Sequence, residues 1–175
     1  LGVRTLSPDN NVQTGFHGAA VDPELRSQLA ESCAKLVEDH DLDGVNLAFP
    51  HVAGLASVDD ATKFDMEPVR GADYAELVAT LDAALQADVE VGEGERLTTA
   101  AVPPGPIVGA WFSPEELAEV VDWIFLPAYD FEGDDDSIVR HVAPLHRSDA
   151  NPSPDASVER PDHVVTAVQS YIQAG

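Results

Sequence analysis

The sequence predicts an α/β fold in which parallel strands alternate with helices. The candidate strands are short apolar runs without polar alternation, which is typical of parallel strands buried on both faces. Each run is followed by a segment whose apolar residues recur at helical spacing, so the strand–helix order occurs four times. Because four βα units are half of an eight-fold barrel, we expect residues 1–175 to form one domain with a partial (β/α) TIM-barrel-like fold.

The predicted strands cover residues 3–6, 42–49, 96–102 and 123–128. Turn-forming runs close two of them: residues 7–10 follow the first strand, and the Pro- and Gly-rich residues 103–106 follow the third. A long loop is expected over residues 51–71. Trp123 lies inside the fourth strand and is expected in the core. In parallel α/β folds the active site lies at the carboxyl ends of the strands, so the residues there form the candidate site.

Two helix starts are marked by residues suited to capping. Asp22 fits the N-cap position and Pro23 the first helical position, so a helix is expected from there to about His40. Ser113-Pro114-Glu115-Glu116 has the spacing of a capping box. The residues predicted to face the core are Leu25, Leu29, Cys33 and Leu36 in the first helix; Tyr74, Leu77, Val78, Leu81 and Leu85 in the second; Leu117, Val120 and Val121 in the third; and Val164, Val165, Val168 and Ile172 in the last.

The chain is strongly acidic, with 32 acidic against 9 basic side chains and a formal net charge of -23. In dilute buffer such a charge opposes compaction, whereas molar salt shortens electrostatic screening to roughly 3 Å. We interpret the composition as that of a halophilic protein from a high-salt environment; an acidic surface tuned for solubility is the open alternative. No basic stripe is present to meet phosphates, so no nucleic-acid partner is expected.

Several other function classes find no support in the sequence. Cys33 is the only cysteine, and the histidines are not paired at metal-ligand spacing, so neither a metal nor another cofactor is expected. Neither a serine-hydrolase motif nor a phosphate-binding loop is present. No apolar run is long enough to span a membrane. Residues 1–4 do not read as a signal peptide and lack an initiating Met, so export is not judged from this chain.

Three segments carry a resemblance to a known family. Residues 43–50, Asp-Gly-Val-Asn-Leu-Ala-Phe-Pro, resemble the motif D-G-hydrophobic-D-hydrophobic-D-W-E-Y-P. Residues 74–85 with 97–103 resemble a helix and the strand after it, and residues 121–133 resemble V-D-F-I-N-V-M-T-Y-D-F-H-G. These motifs are those of glycoside hydrolase family 18, the chitinase-like barrels. With residues 3–7, 143–145 and 164–175, the resemblance covers nearly the whole chain but only barrel units three to six.

The resemblance implies hydrolysis of N-acetylglucosamine polymers by acids at alternate positions of one strand, where i, i+2 and i+4 share a face. In the family the last acid, a Glu, protonates the glycosidic oxygen, while the substrate's own acetamido group is the nucleophile. The corresponding positions here are Asp43, Asn46, Ala48 and Pro50. Aligning residues 49–50 with the family's Tyr-Pro instead requires a deletion that removes the Trp and the Glu. With either alignment the general acid is absent, and we expect the family's reaction to be lost.

The other half of the implied site is better matched. Tyr129 and Asp130 stand where the family places a Tyr and an Asp that contact substrate, and Asn46 completes the predicted substrate-binding residues. Each has a structural alternative. In these alternatives, Tyr129 packs against the barrel rim and Asp130 caps a loop. Asn46 is hydrogen-bonded inside the barrel, and Asp43 is a turn residue before the strand.

Three functions stay open at this stage. The first is a catalytically impaired, chitinase-like module that binds an N-acetylglucosamine-type glycan or has a structural role. The second is an active glycosidase whose displaced acid comes from the acidic loop at residues 132–136. The third is an assembly component that binds no sugar. Half a barrel has two open strand edges, so we expect self-association or another subunit to cover them. The resemblance also implies an extracellular, cell-surface or particle-surface location.

Overall fold

The computed structural model of the 175-residue chain describes residues 1–4, 14–48, 71–87, 89, 94–102, 104, 112–129, 141–146 and 163–174. Within these residues, strands and helices alternate along the chain. The elements in chain order are β1 (Gly2–Arg4), α1 (Thr14–Val21), α2 (Pro23–Asp39), β2 (Gly44–Ala48), α3 (Gly71–Gln86), β3 (Leu97–Ala101), α4 (Pro114–Ala118), β4 (Trp123–Phe125) and α5 (Val164–Ala174).

The strands form one parallel sheet in the order β1-β2-β3-β4. Consecutive strands are therefore neighbours in space, as expected for successive βα units. Gly2, Asn46, Thr99 and Trp123 are register partners across the sheet. The predicted α/β class with parallel strands is confirmed. The observed strands are shorter than the predicted ones, and β4 ends at Phe125. The helix α1 has no counterpart among the predicted elements.

One face of the sheet is covered by helices. Val45, Leu47 and Ala100 point to this covered face and are at most 2% exposed. Successive side chains of a strand alternate between the two faces. The residues on the opposite side are Gly2, Gly44, Asn46, Ala48, Leu97, Thr99, Ala101, Trp123 and Phe125, and we refer to this side as the open face.

The open face is most accessible along β4. Trp123 is 58% exposed and Phe125 is 50% exposed, because among the described residues no second layer covers this side of the strand. The expectation that Trp123 lies in the core is therefore wrong. Between them, Ile124 points the other way and packs against the core, as the alternation of a strand requires.

The helix α3 forms the centre of the covering layer. Its predicted core-facing stripe is confirmed, since Tyr74, Leu77, Val78, Leu81 and Leu85 are all buried. The Tyr74 ring meets the Phe112 ring edge to face, with centroids 5.3 Å apart and an interplanar angle of 90°. Aromatic pairs favour this geometry because the positive edge of one ring faces the negative face of the other.

The helix α2 begins where it was predicted to begin. The carboxylate of Asp22 accepts hydrogen bonds from the backbone N–H groups of Glu24, at 2.8 Å, and Leu25, at 3.2 Å. Of the predicted core-facing stripe of α2, Cys33 is buried and Leu29 is half-buried against the core, whereas the prediction is wrong at Leu25 and Leu36. The buried residues are Arg26, Ala30, Cys33 and Val37. Leu25 and Leu36 are instead 43% and 42% exposed.

A buried guanidinium explains this rotation of α2. Arg26 Nη2 donates to the carbonyl oxygen of Ala20 at 2.7 Å, and Arg26 Nη1 lies 2.7 Å from Glu76 Oε1. The Arg26 side chain is only 5% exposed, while that of Glu76 is 66% exposed. A buried charge needs such partners to be tolerated. Because they come from α1 and α3, the Arg26 side of α2 turns inward. Hydrophobicity alone would have placed the charged Arg26 side chain in solvent.

Two other helix predictions need correction. Ser113 precedes α4 with a left-handed backbone (φ 46°), and its side chain makes no capping hydrogen bond, so the predicted capping box is wrong. An N-cap side chain reaches the first-turn N–H groups from an extended backbone instead. In α5 the buried residues are Ala167 and Tyr171. Val168 and Ile172, predicted to face the core, are 39% and 72% exposed.

We predict that Gly44→Ala lowers the free energy of unfolding by at least about 3 kcal/mol. A Cβ atom at Gly44 would overlap the carbonyl oxygen of Leu97 and would lie 2.7 Å from the carbonyl carbon and the backbone nitrogen of that residue. These backbone atoms belong to β3 and cannot move aside without disturbing its pairing with β2. Urea unfolding in molar salt, followed by far-ultraviolet circular dichroism, measures the loss.

Gly94→Ala is the matched control for this substitution. A Cβ atom at Gly94 meets no atom within 4 Å, so the free energy of unfolding should change by less than about 0.5 kcal/mol. Equal destabilisation by the two substitutions would contradict the close approach of β2 and β3 at Gly44.

Candidate functional site

The carboxyl ends of β2, β3 and β4 lie at one edge of the sheet, because the strands are parallel. We call this the carboxyl edge. Ala48 and Ala101 are register partners there, and the N–H of Val102 donates to the carbonyl oxygen of Phe125 at 3.0 Å, which continues the β3–β4 pairing. Binding and catalytic residues of parallel α/β folds are built at this edge, on a rigid platform of paired strands.

Asn46 lies on the open face in the middle of β2. It is half-buried between its register partners Gly2 and Thr99, and its N–H donates to the carbonyl oxygen of Leu1 at 2.7 Å. Strand pairing therefore uses the backbone of Asn46, while its carboxamide projects from the open face. A carboxamide donates and accepts hydrogen bonds but has no titratable proton.

Ala48 and Asp43 lie at opposite ends of β2. Ala48 is the last residue of the strand and shares the open face with Asn46. Asp43 precedes the strand, is exposed, and accepts a hydrogen bond at its backbone oxygen from the N–H of Leu97 at 2.8 Å. At about 3.3 Å per residue, roughly 16 Å separates Asp43 from Ala48. The structure thus brings Asn46 and Ala48 together and leaves Asp43 far from the carboxyl edge.

Two predicted site residues, Pro50 and Asp130, lie outside the described residues. Tyr129 ends the described segment that contains β4, and it is 58% exposed. Its N–H donates to the carbonyl oxygen of Pro127 at 2.9 Å, and the N–H of Ala128 donates to that of Leu126 at 2.8 Å. These short-range bonds turn the chain immediately beyond the carboxyl edge. Tyr129 is therefore presented to solvent there.

A buried tyrosine supports the end of β2 from the covered face. The Tyr74 hydroxyl donates to the carbonyl oxygen of Leu47 at 3.0 Å, with Tyr74 itself fully buried. Burial raises the pKa of Tyr74 strongly, and the nearby Tyr171 raises it further. Both causes keep the phenol neutral, so Tyr74 acts as a hydrogen-bond donor that holds the strand. The sequence placed Tyr74 in the core but did not predict this bond.

Three residues of the open face were not predicted as part of the site. Thr99 lies beside Asn46, and Trp123 and Phe125 follow across β4. Thr99 is 7% exposed, and its hydroxyl donates to the carbonyl oxygen of Val45 at 3.4 Å. Strand alternation together with the pairing register would have assigned all three side chains to the open face. The register, however, is a property of the sheet and is not visible within one strand.

The described residues bring no group of three or more His, Cys, Asp or Glu side chains together in a way that would hold a metal ion. None of the helices in the described part of the chain is both long and apolar enough to cross a membrane. On the described part of β2 and β3, the open face carries an amide, a hydroxyl and apolar groups, and no carboxylate projects from it.

A sequence model of the glycosyl hydrolases family 18 matches residues 7–175. The chain belongs to glycoside hydrolase family 18. The resemblance of its motifs to this family is thereby confirmed. Curated relatives include a probable endochitinase of Caenorhabditis elegans, 28% identical over 140 residues, and endochitinase 1 of Metarhizium anisopliae, 30% identical over 162 residues. These alignments cover 79% and 93% of this chain but only 21% and 34% of the relatives.

Solved family 18 structures confirm the partial-barrel fold. The chain superposes on the group IV chitinase of Ostrinia furnacalis with a TM-score of 0.75 at 20% identity, covering 99% of this chain and 43% of that one. It superposes on YKL-39, a structure solved in the presence of chitooligosaccharides, with a TM-score of 0.73 at 20% identity, covering 44% of that chain. The chain therefore spans less than half the length of these family 18 barrels.

We predict that Tyr74→Phe lowers the free energy of unfolding at neutral pH by about 1 kcal/mol, because the buried bond to Leu47 is lost. The same substitution should also make the free energy of unfolding fall less steeply as the pH rises into the alkaline range. The folded-state pKa of Tyr74 is raised, whereas an unfolded tyrosine titrates near pH 10. The stabilising contribution of the neutral phenol is thus complete below about pH 10 and declines above it, by up to about 1.4 kcal/mol per pH unit.

Urea titrations between about pH 8 and about pH 11 measure both effects. Part of the alkaline slope should persist in Tyr74→Phe, because burial also raises the pKa of Tyr171. Tyr129→Phe is the matched control, since it removes the same hydroxyl from an exposed ring. The free energy of unfolding of Tyr129→Phe should fall with rising pH as it does in the wild type. If that of Tyr74→Phe falls just as steeply, the Tyr74 phenol does not titrate as its burial requires.

Proposed function

We propose that this chain is a catalytically impaired family 18 module, a pseudoenzyme that binds a glycan of N-acetylglucosamine units or has a structural role. The observation that carries the proposal is the chemistry of β2. The positions that match the family's alternating acids on the open face hold Asn46 and Ala48. The strand therefore supports the fold at the carboxyl edge without presenting an ionisable group there.

The reaction of the family needs a proton donor close to the glycosidic oxygen. A positioned general acid contributes typically about 10²–10⁴-fold to the rate. The Asn46 amide transfers no proton at neutral pH, and Ala48 has no polar group. Asp43, the one acid that matches the motif, precedes β2 at the end opposite to the carboxyl edge. None of these three residues is able to take the role of the missing Glu.

Glycan binding is supported by what the carboxyl edge retains. Tyr129 presents an exposed ring just beyond β4, and sugars pack against exposed aromatic rings through their apolar faces. Asn46 adds hydrogen-bonding capacity on the open face, and Asp130 follows Tyr129 in the position that the family uses for substrate contact. Relatives are named as endochitinases, and YKL-39 was solved with chitooligosaccharides. Oligomers of N-acetylglucosamine are therefore the ligand class to test.

Two alternative functions rest on specific features of the chain. An active glycosidase would need a displaced acid, for which the acidic residues 132–136 are the candidates. A non-sugar-binding assembly component is favoured by the exposed apolar residues of the open face, Trp123 and Phe125. In either case a second copy of the chain or another subunit would cover the open strand edges.

We further propose an extracellular, cell-surface or particle-surface location in a high-salt environment. A net charge of -23 on 175 residues keeps a surface hydrated and soluble where salt screens its self-repulsion. Folding should accordingly be more stable in molar salt than in dilute buffer.

Titration of N-acetylglucosamine oligomers in molar salt, by calorimetry and by detection of released sugar, tests the proposal. We predict binding without turnover. Tyr129→Ala should weaken binding about 10-fold or more, because it removes the exposed ring on which the sugar would pack. Asp130→Ala should weaken binding by a similar factor, because it removes the carboxylate at the position that the family uses for substrate contact. Gly94→Ala, at an exposed position with open space around it, should bind like the wild type.

Each outcome separates the candidate functions. Turnover that survives in Asp43→Asn and is lost when residues 132–136 are neutralised would establish an active enzyme with a displaced acid and contradict the proposal. Absence of binding in molar salt would leave the assembly role as the function of the fold.

A further inference from the structure

The backbone of β2 is held from both faces of the sheet, on either side of Asn46. On the open face, the Thr99 hydroxyl donates to the carbonyl oxygen of Val45 at 3.4 Å. On the covered face, the Tyr74 hydroxyl donates to the carbonyl oxygen of Leu47 at 3.0 Å. The carbonyl groups of the residues immediately before and after Asn46 are therefore both bound by side chains from outside the strand, and the bond to Tyr74 is the shorter of the two.

The hydroxyl group of Tyr74 is not required by the apolar core. The ring fills the core by itself, since Tyr74 is fully buried and meets the Phe112 ring edge to face. A phenylalanine ring would fill the same space, whereas a buried hydroxyl costs free energy unless it finds a partner. The bond to the carbonyl oxygen of Leu47, and not the packing of the ring, therefore accounts for a tyrosine at this position.

This bond lies directly behind a residue that we propose to contact sugar. Asn46 precedes Leu47 and is half-buried beside its register partner Thr99. Its carboxamide projects from the open face, because successive residues of a strand point to opposite sides. Tyr74 belongs to the helix layer on the covered side and touches no ligand on the open face. Any effect of its hydroxyl on binding must therefore pass through the backbone of β2.

We propose that Tyr74 is a positioning residue for glycan binding, which acts on Asn46 through the backbone of β2. By holding the carbonyl group of Leu47, the phenol fixes the direction in which the Asn46 carboxamide meets a sugar. Hydrogen bonds weaken steeply as they depart from linearity, so a small rotation of the strand lowers affinity. A fixed carboxamide also loses less conformational freedom when a ligand binds. The inference rests on the proposed function, since Asn46 is one of its ligand-binding residues.

A double-mutant cycle tests this route, with calorimetric titration of the N-acetylglucosamine tetramer, the oligomer in the YKL-39 structure. Tyr74→Phe should raise the dissociation constant at least about 3-fold. Asn46→Ala should raise it about 5-fold or more, because the carboxamide itself is removed. The double variant should bind as Asn46→Ala does, because Tyr74 then has no carboxamide left to position.

Asp22→Ala is the matched control for the loss of stability. It removes the N-cap of α2, whose carboxylate binds the N–H groups of Glu24 and Leu25, and should destabilise the fold about as much as Tyr74→Phe does. Its affinity for the tetramer should equal that of the wild type, because these bonds are made within the start of α2. Urea unfolding establishes that each variant is folded under the conditions of the titration.

Nuclear magnetic resonance of the sugar-free chain gives a second readout. In Tyr74→Phe the resonances of the Asn46 carboxamide should shift and its order parameter should fall, whereas Asp22→Ala should keep the wild-type values. An unchanged carboxamide in Tyr74→Phe overturns the inference. Wild-type affinity of Tyr74→Phe also overturns it, and so does a full further loss when Tyr74→Phe is added to Asn46→Ala. Absence of sugar binding by the wild type contradicts the proposed function, and the carboxamide measurement then decides the inference alone.

Discussion

The packing of α3 against the back of β2 and β3 is the interaction on which the rest of the structure depends. Its buried stripe fills the space behind the two central strands. The Tyr74 hydroxyl then binds the carbonyl oxygen of Leu47 at 3.0 Å, one residue before the strand ends. A single helix thus supplies both the apolar burial and the polar contact that fix where the carboxyl edge lies. Phe112, packed on the Tyr74 ring, ties the start of the α4 region to the same point.

On β2 the requirements of folding and of catalysis fall on different residues. Gly44 is required by packing, because any side chain there would enter the backbone of Leu97. Val45 and Leu47 are required by the core. Asn46 and Ala48 point to the open face and carry little of the packing. A strand built in this way keeps its place whether or not its open-face positions hold acids, so the family 18 fold is compatible with the proposed loss of the proton donor.

Two opposing forces act on the exposed surfaces. Apolar side chains on β4, α2 and α5 favour contact with a partner, whereas a net charge of -23 keeps like copies apart in dilute solution. Which force dominates depends on ionic strength, since screening acts on the charges and leaves the burial of apolar surface intact. We therefore expect added salt to stabilise the folded chain by screening its self-repulsion.

Local patterns in the sequence were enough to predict the strand–helix order, the parallel sheet, the start of α2 at Asp22, the buried stripe of α3 and the family. Each of these depends on residues close in the chain, on alternation or helical spacing that one element displays alone. Family membership also follows from motifs on the strands. The presence of Asn46 and Ala48 at alternate positions of β2 could be predicted in the same way. That Asp43 lies at the opposite end of the strand from the carboxyl edge became clear only once the strand was placed in the sheet.

The tertiary structure was needed to show which side of α2 is buried, because Arg26 turns inward to the nearby carbonyl oxygen of Ala20 and to Glu76 on α3, which lies far along the chain. It also decided that Ser113 does not cap α4 and that Trp123, Val168 and Ile172 are exposed. Periodicity reports that a residue is apolar enough to be buried, but the neighbour that buries it comes from elsewhere in the fold or from another chain. The open face and its register were hidden for the same reason: they exist only once the strands are paired.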